Sequence, residues 1–208
     1  MAIKIKPMTK SELRRYVSTY EFLFGSWKKQ DGVGFARLSG PFAQQVWFEN
    51  LRSGAYRPVM TVSILVMRGG ATLHQFLDIN NREILPRDHD RKHENIAKAM
   101  QGEFRPNIGE PLDPAETMRM FVAQATERIL DASSLASLHA YFGNLAKAKE
   151  SIATVRQLAQ SKGELFDWER TLVQETESLA TSIDGGNQDA YLAASLETEI
   201  SRFFGKSD

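Results

Sequence analysis

One nine-residue run, Val59–Met67, limits what this chain can fold into more than any other stretch. Its residues are mostly β-branched or large and apolar. Both alternating sets, the one that contains Met60 and the one that contains Val59, are predominantly apolar. A strand with one face in water would carry a polar residue at every second position. The run therefore predicts a central strand that is covered on both faces.

Neighbouring segments predict further strands. We predict strands at 33–38, 42–51, 56–67 and 73–79, with a short fifth at 83–85. Ser39-Gly40-Pro41 and Asn80-Asn81 are two of the predicted turns. Connections of this length join only antiparallel neighbours, so the segments indicate a meander of four or five strands.

Helical patterns precede and follow these strands. The residues from Thr9 to Glu12 match a capping box and open a predicted first helix over about 10–28. From Asp88 the apolar period changes from two to 3.6, which predicts helices over the rest of the chain. The predicted fold class is α+β: an N-terminal helix, an antiparallel sheet of four or five strands and a mostly helical C-terminal half.

Local signals predict where the later helices begin and break. Asp113-Pro114 and either Ser133 or Ser134 are predicted helix starts. Gly143-Asn144 is a predicted break.

The proline- and glycine-containing loop after residue 105 is the predicted domain boundary. Residues 1–105 would then hold a helix, the sheet and one covering helix, and residues 106–208 would form a helical region packed on them or extending from them. A single domain is the alternative.

Composition restricts chemistry and location. The chain has no cysteine, which excludes disulfides, thiolate metal sites and cysteine nucleophiles and fits a reducing compartment. Its N-terminal residues lack the apolar run of a secretory signal, and the longest apolar run is too short to span a bilayer. We therefore expect a soluble protein of the bacterial cytoplasm with no membrane partner.

The net charge of zero conceals an asymmetry between the two halves. Residues 1–105 hold 17 Lys and Arg against 10 Asp and Glu, whereas residues 106–208 hold 9 against 16. The basic half predicts either a surface for nucleic acid or attraction to the acidic half, within one chain or across a homodimer. Its basic residues are scattered rather than clustered, which favours the second interpretation.

The stretch from Asp88 to Glu94 has the most suggestive chemistry. His89 and His93 stand four residues apart on a predicted helix, which is the spacing of helical zinc sites. With Asp90 as an oxygen ligand and His74 approaching from a strand, these residues predict a site for a divalent metal such as zinc, and with it a metal-dependent enzyme. The alternative is a polar first helical turn whose acids are favoured by the helix dipole, with no cofactor.

The strand region mixes aromatic residues with arginines, as proteins that bind single-stranded nucleic acid do. Arg37, Trp47, Arg52 and Arg57 are the candidate nucleic-acid or ligand surface. Glu49 interrupts this surface, and aromatic residues at strand spacing belong more often to a core.

No catalytic or cofactor motif occurs in the sequence. The glycine clusters do not open a helix after a strand, and the serines lack the strand-to-helix turn of a nucleophile elbow. His139 is interpreted as a boundary residue that packs its ring and hydrogen-bonds through its nitrogens. We therefore expect a non-catalytic protein that binds a ligand, a protein partner or itself; the metal-dependent enzyme and the nucleic-acid binder are the alternatives.

Overall fold

A computed structural model describes residues 8–78 and 83–205. Over these residues the chain forms an N-terminal helix, a five-stranded antiparallel sheet and a helical C-terminal half. The predicted α+β class is confirmed. The predicted turn at Asn80-Asn81 lies outside the described residues.

The strands follow one another in the sheet in their order along the chain, as a meander requires. They are β1 Lys28–Gln30, β2 Gly34–Ser39, β3 Phe42–Asn50, β4 Tyr56–Ile64 and β5 Thr72–Phe76. β4 lies between β3 and β5, and most of its side chains are buried. The predicted central strand is therefore confirmed, although it ends at Ile64 rather than at Met67. The predicted fifth strand at 83–85 is reduced to a single bridge between Ile84 and Tyr56.

The first helix is shorter than predicted. α1 spans Lys10–Ser18, and a 3-10 turn at Glu21–Leu23 follows it. The capping box is confirmed, since Thr9 Oγ1 accepts from the Glu12 amide at 3.2 Å and the Glu12 carboxylate accepts from the Thr9 amide at 2.7 Å. The prediction of a helix to residue 28 is wrong because the apolar residues after α1 are buried equally well by tight turns. β1 begins at Lys28, and Asp31 and Gly32, with φ of +46° and +68°, turn the chain into β2.

Six further helices follow the sheet among the described residues. They are α2 His89–Glu103, α3 Pro114–Gln124, α4 Ile129–Tyr141, α5 Leu145–Lys162, α6 Asp167–Asp184 and α7 Gln188–Phe204. The predicted start at Pro114 and the predicted break at Gly143-Asn144 are confirmed. No helix in the described ranges combines the length and the apolarity that crossing a membrane requires.

The predicted start of a helix at Ser133 or Ser134 is wrong. α4 begins at Ile129, and the carboxylate of Asp131 organises this start by accepting from the amide and hydroxyl of Thr126 at 2.9 and 2.6 Å. Both serines are buried inside the helix, where their hydroxyls bond to other elements instead of capping.

The chain divides into two compact units. The first comprises the described residues of 1–39, 43–62 and 74–113, and the second comprises 40–42, 63–73 and 114–205. α4 is the most buried helix of the second unit, and its alanines and serines let neighbouring helices approach closely. Two segments from the sheet region belong to the second unit, so the predicted division at residue 106 stays a prediction.

Candidate functional site

His89 is the centre of a buried polar cluster in the first unit. It is the first residue of α2, and only 3% of its surface is exposed. Its Nδ1 lies 2.6 Å from the Tyr56 hydroxyl, and its Nε2 lies 3.3 Å from Thr19 Oγ1. The Tyr56 hydroxyl also lies 3.1 Å from the Tyr20 hydroxyl, and the Tyr16 ring packs on the imidazole with centroids 4.5 Å apart.

The Thr19 hydroxyl fixes the direction of every hydrogen bond in this cluster. The Thr19 hydroxyl donates its only hydrogen to the Tyr16 carbonyl at 2.7 Å, so it accepts from Nε2–H of His89. Nδ1 of the neutral imidazole is then the acceptor, and the Tyr56 hydroxyl donates to it. Tyr20 in turn donates to Tyr56. Each side-chain nitrogen and oxygen in this row of hydrogen bonds, from Tyr20 to Thr19, therefore has a partner.

Burial keeps this cluster neutral. It lowers the pKa of His89, and electrostatic interactions with His93 and Arg15 act in the same direction, against the opposing effect of Asp90. Burial also raises the pKa of Tyr20 to about 12 and raises that of Tyr56 further. A neutral and fully hydrogen-bonded network joins α1, β4 and α2, which is a structural role.

The structure brings together the rings of two of the four predicted metal ligands, His89 and His93, whereas Asp90 contributes a backbone carbonyl there. The ring of His93 stacks on that of His89 with centroids 5.3 Å apart, and His93 Nδ1 lies 3.2 Å from the Asp90 carbonyl. His74 does not join them. It lies on the same face of β5 as Phe76, whose ring contacts Arg57 of β4. The neighbouring Tyr56, which bonds to His89, points to the opposite face of β4.

The geometry gives no support to a metal centre at these residues. Both nitrogens of His89 already have partners, so a metal would have to displace Tyr56 or Thr19. Across residues 8–78 and 83–205, no group of three or more histidines and carboxylates is placed to hold a metal ion. The predicted metal site stays a prediction.

Arg37 of the predicted nucleic-acid surface is engaged inside the first unit. It donates to Gln44 Oε1 at 2.9 Å and to the Asn107 carbonyl at 3.0 Å. Its guanidinium lies over the Trp27 ring, 4.5 Å from the centroid, and burial lowers its pKa. These bonds make Arg37 part of the packing rather than a free phosphate contact.

The other members of that surface lie elsewhere. Trp47 is on the face of β3 opposite Gln44, and 40% of its surface is exposed. Arg57 donates to the Glu49 carboxylate at 2.6 Å, and Arg52 is exposed in the turn after β3. Arg37 is therefore separated from Trp47 and Arg57 by the sheet, and nucleic-acid binding stays a prediction.

The second unit contains a cleft of about 510 Å³ between α3, the end of α4 and the start of α5. Its volume is typical of small-molecule sites. Apolar side chains form most of its wall, and four polar side chains converge on it. The lining residues are Ala115, Met118, Arg119, Val122, Ala123, His139, Phe142, Asn144 and Lys147. We call this cavity the α3–α5 cleft.

The apolar wall of the α3–α5 cleft is open to solvent. Val122 is 48% exposed and Phe142 is 40% exposed. The Phe142 ring is held in place by the rings of Phe42 and Tyr141, with centroids 6.3 and 5.3 Å away. A positioned aromatic ring beside exposed aliphatic groups is a surface on which the apolar part of a ligand would be removed from water.

His139, which lines the cleft, carries an unsatisfied buried atom. The residue is only 8% exposed, and its buried Nδ1 has no hydrogen-bond partner within the described part of the chain. The expectation that its nitrogens hydrogen-bond is therefore wrong for Nδ1. Burial lowers the pKa of His139 and the charge of Lys147 lowers it further, against the opposing effect of Glu150. The site thus presents a neutral imidazole with one unsatisfied nitrogen.

Two cationic side chains line the cleft. Arg119 and Lys147 are exposed, and neither forms an ion pair with another described residue. Asn144 caps the 18-residue helix α5, with its Oδ1 accepting from the Lys147 amide at 3.3 Å. The first amides of a helix lack intrahelical acceptors and carry the positive end of its dipole.

No protein-family model, curated protein or solved structure matches this chain. The geometry of the two histidine sites therefore carries the functional argument. Arg119, Asn144 and Lys147 are not among the residues that the sequence patterns selected. The predicted break at Gly143-Asn144 is the available signal, because it places the N-cap of a helix five residues after His139.

Proposed function

We propose that this protein is a non-catalytic binding protein whose ligand is a small molecule held in the α3–α5 cleft. One observation carries the proposal: the imidazole of His139 is more than nine-tenths buried in the wall of an open apolar cleft, and its Nδ1 has no partner among the described residues. An unsatisfied buried polar atom costs about 1–3 kcal/mol. A ligand that reaches Nδ1 through a shift of the lining side chains would recover that energy.

The composition of the cleft favours binding over catalysis. None of its nine lining residues carries a carboxylate, a hydroxyl or a thiol. The lining side chains therefore offer a bound molecule no hydroxyl, thiol or carboxylate nucleophile. We include a cytoplasmic location in the proposal, since a chain without cysteine suits a reducing compartment.

A neutral fluorescent probe tests the site. N-phenyl-1-naphthylamine should bind with saturable 1:1 stoichiometry and gain fluorescence as it leaves water. Ala123→Phe places a ring in the cleft from an exposed position of α3, so it should weaken binding by about tenfold or more, equivalent to about 1.4 kcal/mol. Ala153→Phe, on the exposed surface of α5 and outside the cleft, is the matched control and should bind the probe like the wild type.

The proposal fails if Ala123→Phe keeps its thermal melt and still binds the probe as tightly as the control does. Absence of saturable binding by the wild type would also end it. In either case the cleft would be a surface depression and not a ligand site.

A further inference from the structure

We propose that the ligand of the α3–α5 cleft is an amphipathic organic anion, whose oxyanion head lies at the N-terminus of α5 between Arg119 and Lys147. A carboxylate and a phosphate share the chemistry that this end of the cleft recognises. The inference rests on the proposed function, and it adds the charge and the polarity of the ligand.

The positive charge of the cleft lining is the first argument. Arg119 and Lys147 line the cleft from α3 and α5, and no lining residue carries a carboxylate to neutralise them. Glu150 acts electrostatically on His139 but does not line the cleft. The N-terminus of α5 adds about half an elementary positive charge. An anionic head would be stabilised by Arg119, by Lys147 and by the helix N-terminus, whereas a cationic head would be repelled by them.

Hydrogen-bond donors on two lining residues are the second argument. The Oδ1 of Asn144 is used in the helix cap, which leaves the Nδ2 hydrogens as donors. The neutral imidazole of His139 carries one N–H, and with that hydrogen on Nδ1 it becomes a donor in need of an acceptor. Donors combined with a helix N-terminus are the usual surroundings of a bound carboxylate or phosphate.

The apolar wall is the third argument, because it excludes an inorganic ion as the natural occupant. Met118 and Val122 lie one helical turn apart on α3, and Phe142 faces the same cavity from the end of α4. Methionine adapts its shape to the group that it contacts. A ligand that places an apolar body here and its charge at α5 uses both ends of the cleft.

Competition against bound N-phenyl-1-naphthylamine tests the charge of the head. Four probes with the same chain are compared at low ionic strength: octanoate, octyl phosphate, octanol and octyltrimethylammonium. The two anions should displace the dye at about one-tenth of the octanol concentration, and the cation should be the weakest. The tighter of the two anions identifies the head as carboxylate or phosphate. Equal competition by octanoate, octyl phosphate and octanol would overturn the inference, while binding of the dye would leave the proposed function standing.

Charge-removing variants test the placement of the head. Arg119→Gln and Lys147→Gln should each weaken octanoate binding by about three- to tenfold and leave octanol unchanged, with a smaller effect in high salt. Lys98→Gln removes an equally exposed cation from α2 and should change neither affinity. An equal loss in Lys98→Gln would show general attraction by the protein's charge and would overturn the placement.

Discussion

The first and second units each bury a histidine, and the two differ in what their nitrogens contact. His89 has partners at both nitrogens, whereas Nδ1 of His139 has none among the described residues. Burial lowers the pKa of both. Burial and a shifted pKa therefore do not distinguish a structural histidine from a binding one. The distinguishing feature is an unsatisfied nitrogen on a residue that lines an open cleft.

The largest expected effect is that of replacing His89 by phenylalanine. The ring volume is kept, but the Tyr56 hydroxyl loses its acceptor and Thr19 loses its donor in a buried site. We expect the free energy of unfolding, measured by urea denaturation, to fall by about 2–4 kcal/mol. His93→Phe is the matched control and should cost less than about 1 kcal/mol, because His93 bonds only to an exposed backbone carbonyl. Equal losses in the two variants would refute the structural role of His89.

The same substitution at His139 should have the opposite effect on stability. His139→Phe removes an unsatisfied nitrogen without removing a bond, so we expect the free energy of unfolding to stay unchanged or to rise by about 1 kcal/mol. Octanoate affinity should fall about threefold, because a donor to the anionic head is lost. A destabilisation as large as that of His89→Phe would show that Nδ1 is satisfied in solution, and the observation that carries the proposed function would be lost.

The smallest expected effect is on the pH dependence of stability. The folded-state pKa of each buried histidine lies below its unfolded value of 6.5. The unfolded chain therefore binds protons first as the pH falls below about 6.5, so stability that is present above this pH is lost on the way down to the folded pKa. Urea denaturation between pH 7 and pH 5 should show falling stability in the wild type and a shallower fall in His139→Phe. Identical slopes would mean that His139 does not titrate differently in the two states.

Much of the fold could be predicted from local sequence pattern. The wrong predictions concern residues whose side chains suit two different structural environments. The apolar run Val59–Met67 and the short turns were enough to predict an antiparallel sheet. The alternation of side chains identifies the strands, and short turns can join only antiparallel neighbours. Ser133 and Ser134 have side chains that suit a helix cap. A short hydroxyl side chain also suits a tight contact between helices, however, and Ser133 bonds to Thr176 in such a contact.

The candidate site was less accessible from the sequence. The spacing of His89 and His93 correctly predicted that their rings meet. The partners that complete His89, Tyr56 and Thr19, are 33 and 70 residues away along the chain, so no local pattern contains them. The cleft depends on α3 lying beside the start of α5, which is likewise a matter of tertiary packing.

The ordered hydrogen bonds around His89 have a consequence for the earliest part of the chain. α1 has only nine residues, which is too short for a helix to persist in water on its own. The row of hydrogen bonds that runs through Tyr56, His89 and Thr19 ends on the Tyr16 carbonyl, in the last turn of this helix. Helix formation in α1 is therefore coupled to the Tyr56 hydroxyl on β4 and to His89, the first residue of α2. We expect α1, β4 and α2 to exchange their amide hydrogens as one cooperative group.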